Sequence, residues 1–408
     1  MRRTRGGVLV LTLVVLTAVV TIMASLMATQ RAEFKAVRNR LERAKARLMA
    51  ESAVQRALST LSTQTAGPIS KTDEWSTLGN DANELFRVGE GSFRMQVVDA
   101  ASLVNLNTVS EEQLLNLNLT QEQVDGLLDW RTEGNVPRAD GAKDEYYTNL
   151  PKPYLTRERR MLSLDEVLLI KGFLPSSLYD TPEQTSTTGV EPQPLSLVAT
   201  VDSYSPNTDA NGQTKGNINT VQAQQLVQRG ISQQVAAAIV LRRTQAGGQF
   251  ATLGDVLRTP GIDTRSAGII VDNFALGNQP RNEGKINVNT ATEYVLASVP
   301  GITSDVAANI VSRQTSGMTA LSELLQVPGF SLQLMQQTID SFSTTSESFV
   351  VRAEGSFGQS RVSLEAVVSI NGGRARVMKI YEPPYQDMPL RWGWQDTTTS
   401  ETVLGENP

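Results

Sequence analysis

Residues 284–313 read GKINVNTATEYVLASVPGITSDVAANIVSR, and the reading of this stretch decides much of the fold. Gly301 suits a tight turn. Beyond it, Val306, Ala307 and Ile310 recur at helical spacing and form one inward stripe. Thr290 stands where a helix N-cap is expected, its hydroxyl able to accept from a free amide. The stretch predicts two short antiparallel helices folded about Pro300-Gly301-Ile302, a helix-hairpin-helix.

The plan occurs three times. Residues 103–131, LVNLNTVSEEQLLNLNLTQEQVDGLLDWR, and 216–243, GNINTVQAQQLVQRGISQQVAAAIVLRR, follow it as well. Aligned on Asn107-Thr108, Asn219-Thr220 and Asn289-Thr290, each copy has an Arg 24 positions after the Asn: Arg131, Arg243 and Arg313. A closing element also recurs, as LDEVLLIKGF (164–173), LGDVLRTPGI (253–262) and LSELLQVPGF (321–330). Such a period marks a stacked helical array. Thr108 and Thr220 are expected as N-caps like Thr290, and the Asn before each as a turn residue.

Helix hairpins often grip nucleic-acid phosphates, which requires close backbone approach and nearby cations. Here the second turn glycine usual for that task is replaced by Thr303 and Ser232, and the first copy has Asn118-Leu119-Thr120. Between Leu103 and Asp340 there are 17 Lys/Arg against 25 Asp/Glu, where counterion release calls for a basic face. The hairpins read as scaffolding, and nucleic acid is disfavoured as a partner.

The chain of 408 residues has neither Cys nor His. That removes disulfides, thiolate chemistry, the commonest general base and nearly every zinc or non-haem iron site. Clustered carboxylates such as Asp140, Asp144 and Glu145, or Glu111 and Glu112, read as a solvated loop and a helix first turn. No enzyme is expected and no catalytic residue is assigned. No cofactor is required.

Charge is unevenly spread. Residues 1–56 carry 11 Lys/Arg against 3 Asp/Glu, which leaves the rest at −13 to reach the overall −5. The basic end contains VLVLTLVVLTAVVTIMASLMA (8–28), an uncharged run long enough to cross a hydrocarbon core. Arg2, Arg3 and Arg5 before it favour a cytoplasmic amino end. Helical periodicity then continues through Val37, Leu41, Ala44, Leu48, Val54, Leu58 and Leu61 until Gly67-Pro68 stops it. Leu41, Leu48 and Leu58 are expected to need a partner surface.

Strands are predicted at 89–100 (GEGSFRMQVVDA), before the helical block, and in ESFVVRAEGS, SRVSLEAVVSI and ARVMKIYEP after it, with turns at Gly355-Ser356 and Asn371-Gly372-Gly373. Within the block, Asn207, Asp209 and Asn211 before Gly212 mimic the start of a calcium loop. Ile218 stands where that loop needs its bidentate Glu, so a hairpin turn is favoured and calcium is only a weak candidate. The stretch after Arg131, with Tyr146-Tyr147 and Pro153-Tyr154, reads as a long surface loop packed on the helices.

The start of the chain resembles the type IV pilin-like family: MRRTRG as a basic leader ending in Gly, then an apolar segment running into an amphipathic helix. The resemblance implies prepilin-peptidase cleavage after Gly6, or after Gly7. Counting from Gly7, Leu11 stands where most of that family has Glu. The full order, with YYTNLPKPYLTRERRMLSLDEVLLIKGF and GKINVNTATEYVLASVPG its most specific parts, resembles the minor pseudopilin K family of type II secretion. The implied fold is α+β: a long amino-terminal helix and an antiparallel sheet, with a large inserted all-α domain of three helix-hairpin-helix-like repeats.

The expected division is a leader at 1–6, a transmembrane helix at 7–30 and its amphipathic continuation at 31–66. The sheet takes 67–100 and 346–385, the insertion 101–345, and a disordered tail 386–408. The resemblance further implies a methylated minor pseudopilin at the tip of the secretion pseudopilus, single-pass in the inner membrane with its bulk in the periplasm. Implied partners are the I and J pseudopilins, the major pseudopilin, the prepilin peptidase and the inner-membrane secretion assembly. The alternative is a membrane-anchored DNA receptor of competence type.

Overall fold

The computed structural model describes residues 4–64, 67–183, 186–245, 247–385, 387–395 and 400–403. Its first element, α1 (Thr4–Leu61), is a single helix of 58 residues. No Pro or Gly interrupts it after Gly7. In its apolar half the threonine hydroxyls bond back to the preceding turn, as Thr17 to the Leu13 carbonyl (3.0 Å) and Thr21 to that of Thr17 (2.7 Å). These threonine hydroxyls are satisfied within the helix, as an apolar environment requires.

The carboxyl-terminal third of α1 lies on a six-stranded sheet. The strands are β1 (Glu84–Val88), β2 (Gly91–Asp99), β3 (Ser348–Phe357), β4 (Ser360–Asn371), β5 (Arg374–Tyr381) and β6 (Ser400–Val403). Their order is β5-β4-β3-β2-β1-β6, antiparallel throughout except for the β1–β6 pair. Alternate residues Phe93, Met95 and Val97 of β2 join Phe349, Val351 and Ala353 of β3 in one apolar face.

The helix face that meets this sheet is not the one that Leu41 and Leu48 suggest, although Leu58 and Leu61 near its end do pack there. Leu41 and Leu48 are 56% exposed, whereas Ala46, Ala50, Ala53 and Ala57 are fully buried, with Val54 and Leu61 beside them. At 100° per residue the two stripes lie on opposite sides of the helix. Small side chains are selected because the approach is close. A Cβ on Gly355 would stand 2.1 Å from the Ala46 carbonyl oxygen and 2.3 Å from the Ala50 nitrogen. Gly355-Ser356, expected as a turn, is therefore inside β3, and the chain reverses instead at Gly358-Gln359.

β2 and β3 are neighbours, with Asp99 opposite Phe349. Everything between them, residues 100–347, leaves and rejoins the sheet at one edge. That edge is the end farthest from the membrane span: Gly355 sits over Ala46, so β3 traced back to Ser348 follows the helix up towards Leu61. There Trp75 packs edge-on to Phe349 (5.2 Å) and the Ile69 amide donates to the Thr344 carbonyl (2.9 Å). The insertion has its own core, centred on Leu114, Leu127, Val256, Val295 and Ile310.

The tail differs from expectation. Met388–Arg391 form a helical turn, Trp392 and Trp394 are buried, and β6 pairs with β1. The reason is the sheet face opposite α1, which carries the buried ion pair Arg94–Glu354 (2.7 Å). Trp394 covers it, with the Arg94 guanidinium 5.1 Å from its ring, and Arg94 donates to the Gln395 carbonyl (2.6 Å). A desolvated cation needs such cover.

Candidate functional site

Each of the three repeats begins with a two-residue strand ending in Asn: Val104–Asn105, Gly216–Asn217 and Ile286–Asn287. Each pairs in parallel with a strand that closes the repeat: Ala199–Thr200, Phe274–Ala275 and Phe342–Ser343. The side-chain oxygens of Asn105, Asn217 and Asn287 accept from the amides of Asn107, Asn219 and Asn289 at 2.9, 2.9 and 3.1 Å. The turn is thus an Asx turn.

Asn107, Asn219 and Asn289 then act as clamps. Asn289 accepts from the Met318 amide (2.7 Å) and donates to its carbonyl (2.8 Å). Asn219 does the same between Phe250 (amide, 2.7 Å), Phe250 (carbonyl, 3.2 Å) and Leu276 (3.0 Å), and Asn107 between Met161 and Val201. These residues do more than occupy a turn: each ties the hairpin to the element that closes it.

Thr108, Thr220 and Thr290 do not cap the following helices. Their hydroxyls point back to the carbonyls of Asn105, Asn217 and Asn287, and the N-cap positions fall two residues later, at Ser110, Gln222 and Thr292. The Asx turn needs those two residues before the helix can start.

The arginine register holds twice. Arg131 donates to the carbonyls of Leu106 and Val109, and Arg243 to those of Ile218 and Val221, both at 2.9 Å. Burial pulls the Arg131 pKa down to about 10. In the third copy the equivalent carbonyls, Val288 and Ala291, take the Gln314 amide instead, both at 2.8 Å. Arg313 faces outward to Glu323 (3.2 Å). The cause is one extra residue before the hairpin tip: Gly301 follows Asn289 by 12 positions, while Gly230 and Asn118 follow their Asn by 11. The facing position moves to Gln314.

Asn118, Gly230 and Gly301 share a left-handed backbone, with φ of 61°, 96° and 93°. Just beyond, Thr120, Ser232 and Thr303 accept from the amides of Gln123, Val235 and Val306 (3.3, 3.3 and 3.4 Å). An amide that a phosphate would need at each tip is already used by a hydroxyl, which is why glycine is absent there.

The third repeat is latched to the sheet by a residue that the repeat pattern does not reveal. Asp99, at the end of β2, accepts from the Thr290 hydroxyl (2.6 Å), the Asn287 amide (2.8 Å) and the Ala101 nitrogen (2.9 Å). Asn287 also donates to the Ile69 carbonyl (3.0 Å). Burial raises the Asp99 pKa, and these donors offset it only in part.

The calcium candidates form a hairpin turn. One Asp209 oxygen accepts from the amides of Asn211 (2.9 Å) and Gln213 (2.8 Å), while the buried Asn207 donates to Gly277 and Gln279 carbonyls. Among the described residues no group of three acidic side chains is gathered for a metal. Asp144 accepts from the Thr156 amide (2.7 Å) and hydroxyl (2.6 Å), and Glu111 pairs with Arg138. In the long loop Tyr147 is buried edge-on against Trp130 (5.4 Å). Gly6 and Gly7 lie near the start of α1, and residues 1–3 of the leader lie outside the described residues.

A long helix with a membrane-length apolar run, laid on an antiparallel sheet that carries an inserted helical array, is a pilin-like α+β arrangement. Residues 96–180 match the family model for type II secretion system protein K, and residues 281–343 that for the helix-hairpin-helix motif. A curated relative, type II secretion system protein K of Pectobacterium carotovorum subsp. carotovorum, is 28% identical over 203 residues. The match takes in 43% of this chain and 60% of the relative, less than two thirds of its length. The crystal structure of the GspK-GspI-GspJ complex from enterotoxigenic Escherichia coli aligns with a TM-score of 0.44 at 14% identity, over 86% of this chain and 99% of that one. Part of this chain is thus similar to type II secretion system protein K.

Proposed function

We propose that the protein sits at the tip of a secretion pseudopilus, where it starts the filament and closes its end. The observation that carries this reading is the pair of opposed faces on α1. One face, of alanines, is spent on the subunit's own sheet. The other, Phe34, Val37, Leu41 and Leu48, stays exposed in line with the span, as a face that packs on neighbouring helices requires. The insertion stands at the far end of the sheet from the membrane, so a subunit can join from below but not above. Leu11, uncharged in the apolar run, fits a subunit with no neighbour overhead whose amino terminus would need a carboxylate.

The orientation that goes with this role has a cytoplasmic amino end and the bulk in the periplasm. The I and J pseudopilins are the immediate partners, the major pseudopilin fills the shaft below, and the prepilin peptidase removes the leader after Gly6. The role is structural, not enzymatic. Co-expression with the peptidase and the small pseudopilins tests it. The leader is expected to be lost, a complex with I- and J-type subunits to co-purify, and antibody against the insertion to mark one end of each fibre. A retained leader, or label along the shaft, overturns the reading.

A further inference from the structure

The helix leaves its apolar run through a band of cations. From Arg31 to Arg47 there are seven Lys/Arg and two Glu. Most are engaged: Arg38 with Glu42, Arg43 and Arg47 with Glu382 and Glu51, and Lys45 over the Phe357 ring at 4.3 Å. Arg31, Lys35 and Arg40 are exposed and have no ion pair or hydrogen bond among the described residues.

Their height is fixed by the helix. The apolar run ends at Ala28, so at 1.5 Å per residue Arg31 and Lys35 stand about 5 and 11 Å beyond it. The polar layer of a bilayer is about 5–8 Å deep on each side. Flexible Arg and Lys stems reach across the difference. Their direction is fixed too: Arg31, Lys35 and Arg38 share the helix side that higher up carries Glu42 and the buried alanines. They therefore lie beneath the overhanging sheet and away from the Phe34, Val37 and Leu41 stripe.

We infer that Arg31 and Lys35 form a seat for anionic phospholipid headgroups in the leaflet from which the head emerges; Arg40, about 18 Å beyond the apolar run and on the other side of the helix, stands outside it. Charge and depth select the ligand: a phosphodiester at the polar layer meets cations that the protein leaves unpaired. The inference rests on α1 spanning the membrane and is independent of the tip reading. It gives the resident subunit a lipid hold that extraction into a filament has to break.

The absence of Cys makes the test clean. An Ala32→Cys variant of the full chain takes one donor dye and is reconstituted into phosphatidylcholine vesicles containing one fifth phosphatidylglycerol. Energy transfer is compared for trace acceptor-labelled phosphatidylglycerol and phosphatidylcholine. Local enrichment of the anionic lipid should reach about fivefold per engaged cation at low salt and fade towards about 0.5 M salt. Arg31→Gln and Lys35→Gln together should bring the two acceptors level. Equal transfer to both lipids in the unmutated background, or a preference that survives the double change, overturns the proposal.

Discussion

Replacing Gly355 by alanine tests the helix-to-sheet contact directly. The added Cβ would stand 2.1 Å from the Ala46 oxygen, 2.3 Å from the Ala50 nitrogen and 2.9 Å from the Met49 carbonyl carbon, all backbone atoms. Restoring ordinary contact demands a retreat of the helix by roughly 1 Å, which loosens the alanine stripe along its length. Overpacking of this kind costs about 1–3 kcal/mol. Alanine returns about 0.5–1 kcal/mol by restricting the unfolded chain at an extended position, so the net loss should be about 1–2 kcal/mol. Gly91→Ala is the contrast. Its nearest atoms are Met49 Sδ (2.7 Å) and Cγ (2.9 Å), the end of a flexible side chain, and the loss should stay within about 0.5 kcal/mol. Guanidinium unfolding of the full chain in detergent can be followed through Trp75, which sits in this layer against Phe349. Equal midpoints for Gly355→Ala and the parent protein would refute the claim that close approach selects the glycine and the alanines.

Other expectations concern the latch, the clamps and the tail. The raised Asp99 pKa means the folded protein holds this proton more tightly than the unfolded chain. The stability it contributes is complete below about pH 4 and declines as pH rises through the native value; Asp99→Asn should remove that component from a stability-versus-pH curve. Asn289→Ala orphans the buried Met318 amide and should cost about 1–3 kcal/mol in denaturant midpoint analysis, with Asn219→Ala, on a half-buried clamp, costing less. Gln314→Ala should fall in the same range, while Arg313→Ala, on an exposed ion pair, should stay within about 1 kcal/mol. Trp394→Ala should expose the Arg94–Glu354 pair and render the chain after Tyr385 sensitive to limited proteolysis.

Much of this was legible in the sequence, and the failures have local causes. Apolar spacing located α1, but Leu41 and Leu48 point away from the sheet because hydrophobicity does not report approach distance. Alanine beside glycine does, and the four alanines at 46, 50, 53 and 57 with Gly355 were the available signal. The third Arg was misassigned because a 24-residue count overlooks the extra residue before Gly301. The latch at Asp99 carries no periodicity, and only its place at the junction of strand and repeat gives it meaning. The tail, expected to be disordered, contains Arg391-Trp392-Gly393-Trp394, which has too much aromatic surface to remain solvated.

The adjacency of Asp99 and Phe349 across the ladder has an evolutionary side. A segment of some two hundred and fifty residues departs and returns through a doorway one strand spacing wide, about 5 Å, so a tight hairpin could close the gap without disturbing the sheet. The head can thus be regarded as cargo taken aboard by a small ancestral subunit at the one loop where growth left the rest untouched. Its later commitment to that host is written in part in one carboxylate, Asp99, which would have to be exchanged before the passenger could be put ashore.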